Sequence, residues 1–139
     1  MVRLRVRKFD PATLKPHRII LCVGKRGTGK SVLQRDLLYH LSQKLDFGLA
    51  MTPTEESAET FRCHMPDSWI YNGFSANKLD SMLNMQRDMV KQKKARSLFI
   101  VLDDCMYDKK ILKGLGIRDL FMNGRHLNIT MCNAVQYVM

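Results

Sequence analysis

The most legible chemistry lies in eight consecutive residues, Gly24-Lys25-Arg26-Gly27-Thr28-Gly29-Lys30-Ser31. They fit G-x-x-x-x-G-K-[ST], the phosphate-binding loop or Walker A pattern. Each position has a physical task. Gly24 lets the chain leave a strand in a sharp turn, and Gly27 and Gly29 take positive φ without a Cβ clash. Successive backbone N–H groups across Lys25, Arg26 and Thr28 then face one concavity, which suits phosphate oxygens. Lys30 brings a point charge to the β- and γ-phosphates, and the Ser31 hydroxyl is a ligand for Mg²⁺. The pattern arises by chance in a chain of this length about once in 200, so ATP with Mg²⁺ is the expected cofactor pair.

Two further stretches end apolar runs on polar groups. "LFIVLDD", Leu98–Asp104, reads as a strand buried on both faces and closed by two carboxylates, a Walker B arrangement. Asp103 is placed to hold the Mg²⁺ shell opposite Ser31, through water. Asp104 is the candidate for positioning or activating the attacking water. Enzymes of this design commonly carry Glu there, and Asp is one methylene shorter. In "NGRHLNITMCNAVQ", Asn123–Gln136, residues 117–123 read as a short helix that Gly124 caps in a left-handed conformation. Asn128 to Val135 reads as another buried strand. Its terminal Gln136 is suited to touch the γ-phosphate or the water. The Arg125 guanidinium suits a transferred phosphoryl group, in its own site or a neighbour's. Taken alone, a solvated arginine is the default reading.

The elements that must carry these groups follow from the rest of the chain. Its 139 residues are one domain's worth, and 45% hydrophobic with 26% charged residues is ordinary for a soluble globular protein. No apolar run approaches the ~20 residues of a membrane helix, and the basic start has no apolar stretch behind it to make a secretory signal. Cys22, Cys63, Cys105 and Cys132 show no paired metal-ligand spacing, which fits reduced thiols in an intracellular setting. Net charge is +10, concentrated in residues 1–18 and in Arg87–Arg96, which favours a polyanionic partner. "RIILCV", Arg18–Val23, has the length and β-branching of the strand that precedes the loop. Ser31–Leu45 reads as the helix after it, with Leu33, Leu37, Leu41 and Leu45 as a stripe widened by Val32 and Leu38. Phe47–Met51 is the second strand, broken at Pro53; Ser57–Met65 reads as a surface helix. Asn77–Lys94 is a longer helix capped near Ser75, and Trp69 and Tyr71 are packing groups.

In order and spacing, "GKRGTGKS", "LFIVLDD" and "GRHLNITMCNAVQ" resemble the FtsK–HerA superfamily of P-loop ATPases. Through the region between them the chain is most similar to the genome-packaging ATPases of nucleocytoplasmic large DNA viruses. The resemblance covers roughly residues 15–139. It implies a RecA-like α/β domain with three α/β/α layers and a mainly parallel sheet. The four strands read above would take the order 1-4-3-2. It also implies a homo-oligomeric ring, hexameric, that hydrolyses ATP at subunit interfaces and threads double-stranded DNA into a capsid. Capsid or portal-vertex proteins would be further partners, in host cytoplasm, viral factory or virion. Gly29, Lys30, Ser31, Asp103 and Gln136 match the family pattern, Asp104 departs conservatively, and Arg125 matches the family arginine. A further strand is expected beside the first, and none remains before Met139, which reads as C-terminal truncation. The alternating start, residues 2–8, is offered as its cover. Two rivals stay open: a small nucleotide or nucleoside kinase, which would need an arginine-rich lid, and a non-enzymatic nucleic-acid-binding module with a vestigial site.

Overall fold

Three central strands carry apolar side chains on both faces, so each must be covered by helices above and below. The computed structural model describes residues 3–106 and 108–136. Its strands are β1 (Ile19–Val23), β2 (Phe47–Thr52), β3 (Ile70–Asn72), β4 (Leu98–Asp103) and β5 (Ile129–Val135). They form one parallel sheet in the order β1-β5-β4-β2-β3. The expected order 1-4-3-2 is therefore present as β1-β5-β4-β2. The unexpected β3 extends the β2 edge. It escaped the sequence reading because three residues between a 3-10 turn and Gly73 give no period to detect.

The helices are α1 (Lys30–Leu41), α2 (Glu55–Arg62), α3 (Ala76–Lys91), α4 (Lys109–Leu112) and α5 (Leu115–Asn123). One face of the sheet packs Leu49, Leu98, Ile100 and Leu102 against Leu79 and Leu83 of α3 and Leu120 of α5. The other packs Ala50, Phe99 and Val101 against Leu37 and Leu38 of α1 and Phe61 of α2. Alternate residues of β4 thus enter opposite cores, giving three layers. Fully burying a side chain of the Leu or Phe class stabilises by about 1.5–3 kcal/mol, so the two faces together dominate the fold.

Several local expectations are corrected. The helix after the loop ends at Leu41, and Ser42–Lys44 forms a 3-10 turn. Val32 and Leu33 are exposed while Gln34 is buried, because α1 meets the sheet through the face bearing Gln34, Leu37, Leu38 and Leu41. The surface helix expected at 57–65 runs instead over Glu55–Arg62, capped by Thr54, and it buries one stripe, Ala58 and the fully buried Phe61. Gly124 is not left-handed; it opens the 3-10 turn Gly124–Leu127, and the left-handed residue is Asn128, at φ 55°. Residues 3–10 form no strand, Val2 lies outside the described residues, and among the described residues β1 pairs with β5 alone. Leu4 and Val6 are 93% and 97% exposed. Two apolar side chains among arginines offer too little burial to offset the entropy of ordering a strand. Among the described residues none pairs with the outer edge of β1, and Leu21 and Val23 are exposed. No helix among the described residues is long and apolar enough to cross a membrane.

Candidate nucleotide and magnesium site

The turn leaving β1 is fixed by backbone geometry. The Gly24 N–H donates to Val135 O at 3.2 Å, tying the loop to the end of β5. A Cβ on Gly24 would lie 2.8 Å from Thr28 Oγ1, which itself donates to Lys25 O at 2.7 Å, so the loop closes only around glycine. Gly27 and Gly29 adopt φ of 74° and 85°, the region open to residues without a Cβ. Gly29 is the residue before α1, so the partnerless N–H groups of the first helical turn face the loop. With the helix dipole behind them they form a seat for an anion. Lys30 Nζ donates to Gly24 O and Lys25 O, at 2.8 Å each, and so lies across the loop.

Ser31 and Asp103 meet directly. Ser31 Oγ donates to Asp103 Oδ2 at 2.7 Å, and Asp103 is 3% exposed at the tip of β4. A hydroxyl and a carboxylate are hard oxygen donors of the kind Mg²⁺ takes together with water and phosphate oxygens, so the residues fit that ion. Asp104 and Gln136 also meet: Gln136 Nε2 donates to Asp104 Oδ2 at 2.7 Å. Asp104 has φ 55°, which Asp tolerates better than most residues. Its N–H donates to Ala134 O at 3.0 Å, and the neighbouring Cys105 Sγ donates to Met51 O at 3.1 Å. These bonds to both flanking strands over-determine the conformation and aim the carboxylate at β5.

Lys30, Ser31, Asp103, Asp104 and Gln136 all line one open cleft of about 550 Å³ at the carboxyl ends of the strands. This is where open α/β sheets bind ligands. Its far wall is α2 with the turn before it, including Thr54, Glu56 and Thr60. The sequence reading missed these three. Their signal was "TPTEESAET", a capped helix start directly after the second strand. Another missed residue is Gln34, whose Nε2 donates to Leu102 O and Cys132 O at 3.3 Å each, joining α1 to both strands that carry site groups.

Arg125 stands apart. It is exposed in the turn ahead of β5, at the amino edge of the sheet. The seven residues of β5 separate that edge from Gln136, about 23 Å at ~3.3 Å per residue. Arg125 therefore does not join this chain's own cleft.

The buried thiols beneath the loop divide unequally. A hydrogen bond from Cys132 holds the Cys22 thiol down at about 7, with Lys30 assisting against burial. The same contact, with burial, pushes Cys132 up. Burial, with Asp103 nearby, pushes Cys105 up to about 12.

Comparison with known proteins adds the lineage. The chain matches the family described as Poxvirus A32 protein over residues 6–138. It is 34% identical over 125 residues to uncharacterized protein 015R of Frog virus 3, covering 86% of this chain and 38% of that protein. It is 29% identical over 144 residues to uncharacterized protein L437 of Acanthamoeba polyphaga mimivirus, covering 96% and 50%. The chain thus spans half or less of the length of these relatives. Among solved structures it resembles B204, the DNA-packaging ATPase from Sulfolobus Turreted Icosahedral Virus. The TM-score is 0.58 at 18% identity, covering 90% of this chain and 68% of that one, and shows a shared P-loop fold. Matched along nearly its whole length, the chain belongs to the poxvirus A32 protein family.

Proposed function

We propose that this chain is the ATP-hydrolysing domain of a motor that pumps double-stranded DNA into a viral capsid. One observation carries the ATPase part: Lys30, the Ser31–Asp103 pair and the Asp104–Gln136 pair converge on one cleft. The DNA-packaging part rests on family membership and on the likeness to B204.

Bound Mg-ATP supplies the phosphoryl group and the metal charge; this chain's residues do the rest. The loop amides and the α1 N-terminus seat the phosphates. Lys30 exchanges its two carbonyl partners for phosphate oxygens, gaining a charge-assisted interaction in place of neutral ones. Ser31 and Asp103 would hold the Mg²⁺, which would supply positive charge beside the phosphates. Asp104 orients the attacking water and accepts its proton, and Gln136, hydrogen-bonded to that carboxylate, fixes its rotamer. Arg125 lies too far to assist in cis, so it serves the cleft of the next subunit in a ring, where its planar fork matches a γ-phosphoryl group. Such a head-to-tail contact closes into a ring when the rotation permits.

Phosphate release with and without long double-stranded DNA tests this reading. DNA-stimulated release that disappears in Lys30→Ala supports it. Absence of release under both conditions from a chain that binds ATP would remove the motor assignment.

A further inference from the structure

A second groove lies on the other side of the phosphate loop, and the hydrolysis chemistry does not use it. It measures about 630 Å³ and shares Gly29 and Lys30 with the acid-lined cleft. Leu21 and Val23 of β1, Leu33 and Leu37 of α1, and Phe9 and Leu14 of the amino-terminal segment line it. Hydrogen bonds hold that segment in place. Asp10 Oδ1 accepts from Ala12 N at 3.0 Å and caps the 3-10 turn Pro11–Thr13. Leu14 O accepts from Lys44 Nζ at 3.1 Å, and His17 N donates to Thr130 Oγ1 at 2.7 Å. Phe9 stands directly before the cap and is 58% exposed; Leu33 across the groove is 45% exposed.

Exposed apolar side chains gathered along a groove mark a binding surface, whereas single scattered ones do not. Continuity with the loop says what this groove binds. The acids stand at the end of β4, and the groove lies along β1, two strands away on the other side of the loop. A triphosphate whose γ-end meets Asp103 and Asp104 therefore directs its sugar and base toward the groove. The α2 wall offers Thr54, Glu56 and Thr60, side chains suited to water and cations more than to a flat aromatic face. The polar side chains of the groove are engaged elsewhere. Thr28 Oγ1 donates to Lys25 O, Lys30 Nζ donates to Gly24 O and Lys25 O, and the Cys22 thiol is hydrogen-bonded to Cys132.

We infer that this groove seats the nucleobase of the bound triphosphate by apolar contact, so that the site accepts purine and pyrimidine nucleotides nearly alike. The inference rests on the ATPase reading above and adds the class of nucleotide that the site takes. Every base has a π-face that an aromatic ring or an aliphatic side chain covers, so stacking tolerates any base. Strong discrimination needs hydrogen bonds to the base edge, and a site built to make them rejects the wrong partner by about 10⁴–10⁵. Among the described residues, no side chain of this groove is free to make one.

Displacement of a fluorescent ATP analogue from the full chain by ATP, GTP, CTP and inorganic tripolyphosphate, each with Mg²⁺, tests this. The three nucleotides should bind within about 10-fold of one another. Each should bind roughly 10–100-fold more tightly than tripolyphosphate. Phe9→Ala/Leu33→Ala should lose about 10-fold in affinity for all three nucleotides. Its affinity for tripolyphosphate should stay at the wild-type value, which also reports that the loop is folded. Both side chains are largely exposed, so their removal opens no cavity in the core. Phe9→Tyr keeps the ring and should keep the wild-type affinities. A preference for ATP above about 100-fold would mean that the base edge is read, and would overturn the inference. So would nucleotides that bind no better than tripolyphosphate, an equal loss for tripolyphosphate in Phe9→Ala/Leu33→Ala, or a nucleotide-selective loss found instead in Thr60→Ala on the α2 wall. In each of those cases the wild type still binds triphosphate and the ATPase reading stands. A wild-type chain that binds neither ATP nor tripolyphosphate would remove both.

Discussion

Lys30 and Asp104 sit in one cleft, yet their neighbours give them separable duties. Lys30 Nζ rests on two loop carbonyls and has no carboxylate partner among the described residues, so its charge is available to an anion. Removing it deletes charge-assisted hydrogen bonds worth about 1.5–3 kcal/mol. Lys30→Ala should accordingly weaken ATP binding by about 10–100-fold in equilibrium titration with a fluorescent analogue. Asp104 holds no phosphate-facing charge of the loop; its carboxylate is turned to Gln136. Asp104→Asn keeps the shape and the amide contact but gives up the proton acceptor. Affinity should persist while single-turnover phosphate release falls by about 10²–10⁴. Gln136→Ala should fall less, because the base survives and only its orientation is lost. Full turnover in Asp104→Asn would pass the base role to another group, and Glu56, the carboxylate that lines the cleft besides Asp103, would be the candidate.

The elements differ in how far the sequence announced them. Strands β2, β4 and β5 are buried on both faces, so they read as unbroken apolar runs and their order followed from the segments they resemble. The loop and both acids were legible for the same reason: their residue types are set by local backbone and ligand chemistry. Where partners lie far off in sequence, the reading failed. The sequence stripe of α1 included Val32 and Leu33, but the sheet beneath accepts Gln34, whose amide finds carbonyls of β4 and β5. Helix α2 looked polar because one turn-spaced pair, Ala58 and Phe61, carries its whole buried face. That pair joins the cleft wall to the second core. Phe61→Ala should cost about 3–5 kcal/mol in urea unfolding. Because α2 is also the far wall of the cleft, the variant should raise the KM for ATP while it remains folded. A shift below 1 kcal/mol would mean α2 is held by something other than this side chain.

At the scale of the whole molecule, the sheet is polarised. Its carboxyl edge gathers the loop and the acids, and its amino edge carries Arg125. A chain built this way cannot bring Arg125 to its own cleft without dismantling β5, which is paired on both sides. Two copies stacked edge to edge meet no such obstacle. A mixing experiment decides between a bystander and a shared residue. Arg125→Ala should lower phosphate release by about 10³–10⁵ if the guanidinium stabilises the transferring group. Lys30→Ala should be inactive because its own cleft binds ATP weakly and lacks the cation that faces the phosphates. Subunits of the first kind keep an intact cleft, and subunits of the second keep the arginine. Mixed in equal amounts, about one interface in four joins an intact cleft to an intact arginine, and release should reappear at that fraction of the wild-type rate. Activity in the Arg125→Ala protein by itself would make the residue a surface cation. A mixture as inactive as its parts would show that the two edges never meet in the assembly.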